Sequence, residues 1–144
     1  MVSKMQSHAA PTGSTGSVVR DMLRRGEKFY PDNIAVVCGE ERLSYREFGS
    51  RIRKVAQILQ NLGINKGDRV AVMMLNCHRY LELYAACFEI GAIVVPLNAH
   101  LSAPEMTYTI NDAQAKLLVV DDACLDLAQR IRTSLTSVSN YMYA

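Results

Sequence analysis

No apolar run in this sequence approaches the ~18 residues that a membrane-spanning helix needs; the longest are short and contain or abut charges. The start, MVSKMQSHAAPTGSTGS, has no central apolar stretch, so no secretory signal is expected there. It is poor in acids and contains Lys4, which leaves an organelle-targeting peptide as the alternative to the cytoplasmic location expected for this chain. An excess of one charge is missing too. Sixteen basic residues against 14 acidic ones give +2, which makes no case for nucleic acid or an anionic membrane as a partner. Cysteines are few: Cys38, Cys77, Cys87 and Cys124. No two form C-x-x-C, and His8, His78 and His100 stand at no metal-ligand spacing from them. They read as reduced core thiols of a cytosolic protein, in neither a disulfide nor a metal site. The fingerprints G-x-G-x-x-G and G-x-x-x-x-G-K-[ST] do not occur, nor does the G-x-S-x-G elbow. There is no repeat at a solenoid period.

What is present is enough for a core. The composition is 49% hydrophobic over 144 residues, about one domain by length. Residues 1–16 are small and polar and read as a disordered tail. Ser17 can cap a helix running from Val18 to Tyr30, which Pro31 stops. NIAVVCGEERLSY reads as a hairpin, with strands Ile34 to Cys38 and Leu43 to Tyr45 about a turn at Gly39 to Arg42. Ser44 and Glu47 form a capping-box pattern. Behind them Phe48, Ile52, Val55, Leu59 and Leu62 make one apolar stripe, and Gly63 suits a left-handed cap. Arg46, Arg51, Arg53, Lys54 and Gln57 take the other side, which reads as a solvated face. RVAVMMLN is apolar on both faces of a strand. Asn76 is placed to cap the helix CHRYLELYAACFEI, which Gly91 ends. AIVVPLN is a second doubly apolar strand, with Pro96 at its end. Ser102, Pro104 and Glu105 begin another helix with a second capping box. AKLLVVD is a third strand, and Cys124, Ala128, Ile131 and Leu135 give a last helical stripe. Strand and helix alternate from residue 68 on, so the spacing predicts an α/β fold with a mostly parallel sheet and flanking helices.

Three features invite chemistry. PTGSTGS, Pro11 to Ser17, has the composition of a phosphate loop. A phosphate loop needs a strand before it, a helix after it and usually a cation, and only the helix is present, so the stretch reads as linker. Asp121 and Asp122 follow a strand, as Mg²⁺-binding or phosphoacceptor aspartates do. With no further strand-end acid or lysine beside them, they read as the acidic first turn of a helix. His78 has the chemistry of a general base, but no Ser, Cys or acid is identifiable as its partner, so it reads as a first-turn helix residue.

LSYREF, Leu43 to Phe48, resembles the first core signature of the adenylate-forming superfamily, L-[ST]-Y-x-E-L. FEIGAIVVPLN, Phe88 to Asn98, resembles the second, an apolar pattern around G-A-x-x-V-P-L-[ND]. Both occur in order, and the resemblance covers about Val18 to Leu135. NCHRYLELYAACFEIGAIVVPLNAHLS is similar to fatty and medium-chain acyl-CoA synthetases more than to the adenylation domains of peptide synthetases, the alternative source of such a segment. The resemblance implies part of the N-terminal large domain of an enzyme that activates a carboxylate with Mg·ATP and passes the acyl group to a thiol, commonly coenzyme A. It also implies where the chemistry lies: a Thr/Ser/Gly-rich loop ending in Pro-Lys-Gly, later nucleotide-binding residues and a C-terminal lysine, none of which occurs here. Leu43 to Asn98 correspond to scaffold. No catalytic, cofactor-binding or metal-binding residue carries over, and ATP, Mg²⁺ and CoA belong to the full-length relatives. Residues 17–135 are expected to be a partial adenylation subdomain, and 136–144, which include SVSNYMYA, a non-matching tail. The chain is thus expected to be an N-terminal fragment, inactive alone. Its expected partner is the remainder of a ligase or a second copy. The other reading is a free-standing α/β interaction module.

Overall fold

The computed structural model describes residues 19–144. The expected tail, the Ser17 cap and PTGSTGS lie outside the described residues. In chain order the elements are α1 (Val19–Phe29), a hairpin of β1 (Ile34–Cys38) and β2 (Glu41–Ser44), α2 (Tyr45–Asn61), β3 (Arg69–Met73), α3 (His78–Ile90), β4 (Ile93–Pro96), α4 (Ala103–Asp112), β5 (Leu117–Val120), α5 (Leu125–Ile131) and β6 (Asn140–Tyr143). Short 3₁₀ turns at Asp122–Cys124 and Arg132–Ser134 flank α5.

β3 to β6 form one parallel sheet in the order β4-β3-β5-β6. Alternation along β3 divides the core in two. Val70, Val72 and Met74 face a layer made of α2, α3 and the hairpin, with Leu59, Ile64, Leu83 and Ala86 buried against them. Ala71 and Met73 face α4 and α5, with Met106, Ile110, Ala128 and Ile131. A sheet covered on both sides explains why β3 and β5 read as unbroken apolar runs. Helices on opposite faces join successive parallel strands.

The helix ends follow their sequence signals. Ser44 Oγ accepts from Glu47 N at 3.2 Å while Glu47 Oε2 accepts from Ser44 N at 2.9 Å. Ser102 and Glu105 form the second reciprocal box. Gly91 ends α3 at φ 75°, a conformation that disfavours any side chain.

Three details differ from the sequence reading. The hairpin turn is tighter: Cys38 pairs with Glu41, leaving only Gly39 and Glu40 in the bend, and Gly39 supplies the positive φ of 59° that a two-residue turn demands. Cys77, not Asn76, is the N-cap of α3, in extended backbone and without a side-chain hydrogen bond. The segment set apart at 136–144 contains β6, which pairs with β5 from Asn140 to Tyr143. The folded unit therefore runs past residue 135. Ser139 N and Asn140 N both donate to Lys116 O, and Ala144 N donates to Val120 O, while Met142 and Ala144 pack against the core on the α2–α3 side. The Arg132 guanidinium lies over the Tyr141 ring at 4.9 Å, and the Tyr143 hydroxyl donates to Asp122.

The arginine face of α2 is also more than a solvated surface. Arg53 forks onto both Glu27 oxygens of α1 at 2.8 and 2.9 Å. Arg46 reaches Asp32 at 3.0 Å, and Arg51 Nε donates to Glu82 Oε1 of α3 at 2.6 Å. Glu82 is a charged residue within the core, its side chain only 5% exposed.

Candidate functional site

In open parallel sheets, ligands sit beyond the carboxyl ends of strands, where neighbouring connections leave for opposite faces. β3 meets that condition. Its connection leads to α3 on one face, while those of its neighbours β4 and β5 lead to α4 and α5 on the other. A cavity of about 250 Å³ lies to one side of this point, between the segment that follows β3 and the hairpin. Asn76, Cys77, His78, Tyr80 and Leu81 form one wall, and Val36, Val37 and Cys38 the other.

His78 is the first residue of α3 and lines this cavity. Its Nδ1 is buried without a hydrogen-bond partner, and neither a carboxylate nor a serine lines the cavity beside it. Burial and the Tyr84 hydroxyl push the Tyr80 phenol upward, keeping it protonated. The lining thus offers an imidazole, an amide, a phenol and two thiols, with no fixed charge.

The crevice between β3 and β5 is closed by Asp121. Its Oδ2 accepts from Leu75 N at 2.7 Å and its Oδ1 from Cys124 N at 3.1 Å. Both carboxylate oxygens are engaged by backbone donors, so this aspartate seals the two strand ends and caps the turn that follows. Asp122 is the first residue of that turn and accepts from Tyr143. The acidic first turn read from sequence is what the structure shows, and His78 and the aspartates are not brought into one site.

Among the described residues, no three His, Cys, Asp or Glu side chains converge as metal ligands. Among the described lysines, Lys28 and Lys54 lie on α1 and α2, and Lys66 and Lys116 precede β3 and β5. Lys116 Nζ is held by Asp68 at 3.0 Å and Gly63 O at 2.7 Å. A second cavity, of about 260 Å³, lies between α1, α2 and α3. Its charges are paired with one another, Arg24 with Glu89 and Arg53 with Glu27.

Of the four cysteines, Cys87 and Cys124 are buried. Burial pushes the Cys87 thiol up to about 12. Burial and then Asp121 push Cys124 up to about 11. Cys38 and Cys77 are half-exposed and share the cavity, so only two of the four are the core thiols expected from sequence. The amino-acid pattern carried no signal for this meeting, because the hairpin and the start of α3 are joined only by the fold.

The family profile described as "AMP-binding enzyme" matches residues 23–142, and the chain belongs to that family. It is 34% identical over 135 residues to a 2,3-dihydroxybenzoate-AMP ligase of Bacillus subtilis, covering 90% of this chain and 25% of that protein. It is 33% identical over 122 residues to a crotonobetaine/carnitine–CoA ligase of Escherichia coli, covering 81% and 24%. The solved structure of a Mycobacterium tuberculosis fatty acyl CoA synthetase superposes with a TM-score of 0.85 at 28% identity, covering 88% of this chain and 26% of that one. The chain spans about a quarter of the length of these curated relatives.

Proposed function

We propose that this chain is the N-terminal scaffold of an AMP-forming acid–thiol ligase and does not activate a carboxylate by itself. The observation that carries the reading is the family match over residues 23–142, in a chain that spans about a quarter of the length of the curated relatives. The full reaction proposed is carboxylic acid, ATP and CoA to acyl-CoA, AMP and pyrophosphate. ATP, Mg²⁺ and CoA would then be held by residues outside this chain. The acid is proposed to be a fatty acid, on the wording of residues 76–102 and the likeness to a fatty acyl CoA synthetase. The partner proposed is the remainder of a ligase, adding to the sheet beside β6, and the location proposed is cytoplasmic.

The test has two arms. Carboxylate-dependent exchange of pyrophosphate into ATP is measured on the 144-residue chain, where none is expected. Residues 19–142 are then exchanged into the matching segment of a fatty acyl-CoA synthetase, where exchange is expected to persist. Robust exchange by the chain alone, or a folded chimera without activity, sinks the reading.

A further inference from the structure

The two outer edges of the parallel sheet differ in what they offer. At β4, Ile93 N donates to Asp68 O and Leu97 N to Val72 O, so alternation turns the backbone groups of Val94 and Pro96 outward. Pro96 carries no N–H, which leaves Val94 as the donor of this edge. At β6, Asn140 N donates to Lys116 O and Ala144 N to Val120 O. The N–H and C=O groups of both Tyr141 and Tyr143 therefore face outward. Among the described residues, no strand pairs with this side of β6. Sheet edges are ordinarily guarded by charge, proline or a bulge. From Thr133 to Ala144 the chain has no charged residue, no proline and no glycine. Tyr141 and Tyr143 stand beside the open edge 38% and 57% exposed. The charges near β6 come from α5 and its flanking turns, and they change sign along the strand. The Arg132 guanidinium lies over the Tyr141 ring at 4.9 Å, while Asp122 accepts from the Tyr143 hydroxyl.

We infer that the outer edge of β6 pairs with the same edge of a second copy of this chain, antiparallel about a two-fold axis. The bonded positions of such a pair are residues whose backbone groups face outward on both strands, here Tyr141 and Tyr143. Setting Tyr141 opposite its own copy brings two Arg132 cations together, and setting Tyr143 opposite its own copy brings two Asp122 carboxylates together. Setting Tyr141 opposite the partner's Tyr143 places each Arg132 near the partner's Asp122, and the charges select this register. Each of the two tyrosine pairs then exchanges two backbone hydrogen bonds, and Met142 lies on the axis. Two four-stranded sheets become one continuous sheet. Each copy spends the one edge that can pair, so assembly closes at the dimer. This is the edge at which the proposed function seats the remainder of a ligase, but the self-pairing rests on the edge itself and not on the ligase chemistry.

The experiment is sedimentation equilibrium of the 144-residue chain over a concentration series. A reversible dimer of 16.0 kDa protomers is expected. Tyr143→Pro removes an outward N–H and no bond to β5; it is expected to be monomeric with the circular dichroism of the parent. Ile93→Lys charges the opposite edge and is expected to dimerise as the parent does. Arg132→Glu sets like charges across both tyrosine pairs and is expected to weaken the dimer roughly tenfold. Adding Asp122→Arg to it restores opposite signs and is expected to recover the parent affinity. This charge reversal decides the matter where the proline variant fails to fold. A monomeric parent, assemblies larger than a dimer, dissociation by Ile93→Lys, or no recovery in the double variant overturns the proposal. A monomeric parent leaves the ligase reading to the pyrophosphate exchange assay, so the two fail separately.

Discussion

Replacing Arg51 by Met removes the cation from a carboxylate that has almost no access to water. Glu82 keeps 5% of its side-chain surface exposed and Arg51 keeps 41%, with the two joined at 2.6 Å. With charge centres about 4 Å apart and an effective dielectric of about 20, their attraction is about 4 kcal/mol. Water competing at the exposed guanidinium roughly halves this, to about 2 kcal/mol. The abandoned carboxylate also retains the cost of its desolvation, so the expected loss is about 2–3 kcal/mol. For a urea slope of about 2 kcal/mol per molar, the unfolding midpoint drops by about 1 M. The double variant Arg51→Met, Glu82→Met removes both charges and keeps the volume. It is expected within about 1 kcal/mol of the parent. The assay is urea unfolding followed by circular dichroism at neutral pH for the parent, both single variants and the double. An Arg51→Met loss below about 0.5 kcal/mol, or single losses that simply add in the double, refutes the reasoning.

Three further outcomes follow from the packing and the charges. Leu59→Ala empties a site with no solvent exposure and is expected to cost about 3–4 kcal/mol by the same unfolding measurement. Gly91→Ala places a Cβ on a residue at φ 75°, 3.0 Å from Lys66 Cγ, and is expected to cost about 1–2 kcal/mol, with helical signal retained. The hydrogen bonds from Arg53 hold the Glu27 carboxyl below its ordinary value. Its stabilisation is therefore present above the unfolded value of about 4.3 and is lost as pH falls through the folded one. Glu27→Gln should lower the midpoint at neutral pH, with the gap to the parent closing below about pH 4.

Much of the fold was legible because local and global signals agree. Ser44 with Glu47 and Ser102 with Glu105 mark helix starts by chemistry that acts within one turn, and Gly91 marks an end by a conformation that other residues resist. The doubly apolar strands announced a sheet covered on both sides. β6 was not legible, because Met142 is its one apolar residue packed on the core, too little for a pattern, and the strand joins the sheet through backbone hydrogen bonds any residue can make. The Arg51–Glu82 pair was hidden for a related reason. A charge pattern shows which side of one helix is polar, not which helix lies across from it. The structure fills both candidate acids with internal partners, as a first-turn reading of Asp121 and Asp122 implied. It leaves His78 beside a cavity whose other wall comes from the hairpin.

The division of the core by the two faces of β3 also sets an order of assembly. α1, the hairpin, α2 and α3 all precede β4, so the layer on one face can form as the chain leaves the ribosome, with β3 as its backing. The opposite face of β3 then waits for α4, β5 and α5. Until they arrive, Ala71 and Met73 present an uncovered strip to whatever is nearby. Synthesis of this segment thus passes through a half-clothed sheet, and the interval during which a chaperone would find it is set by translation of residues 93–131.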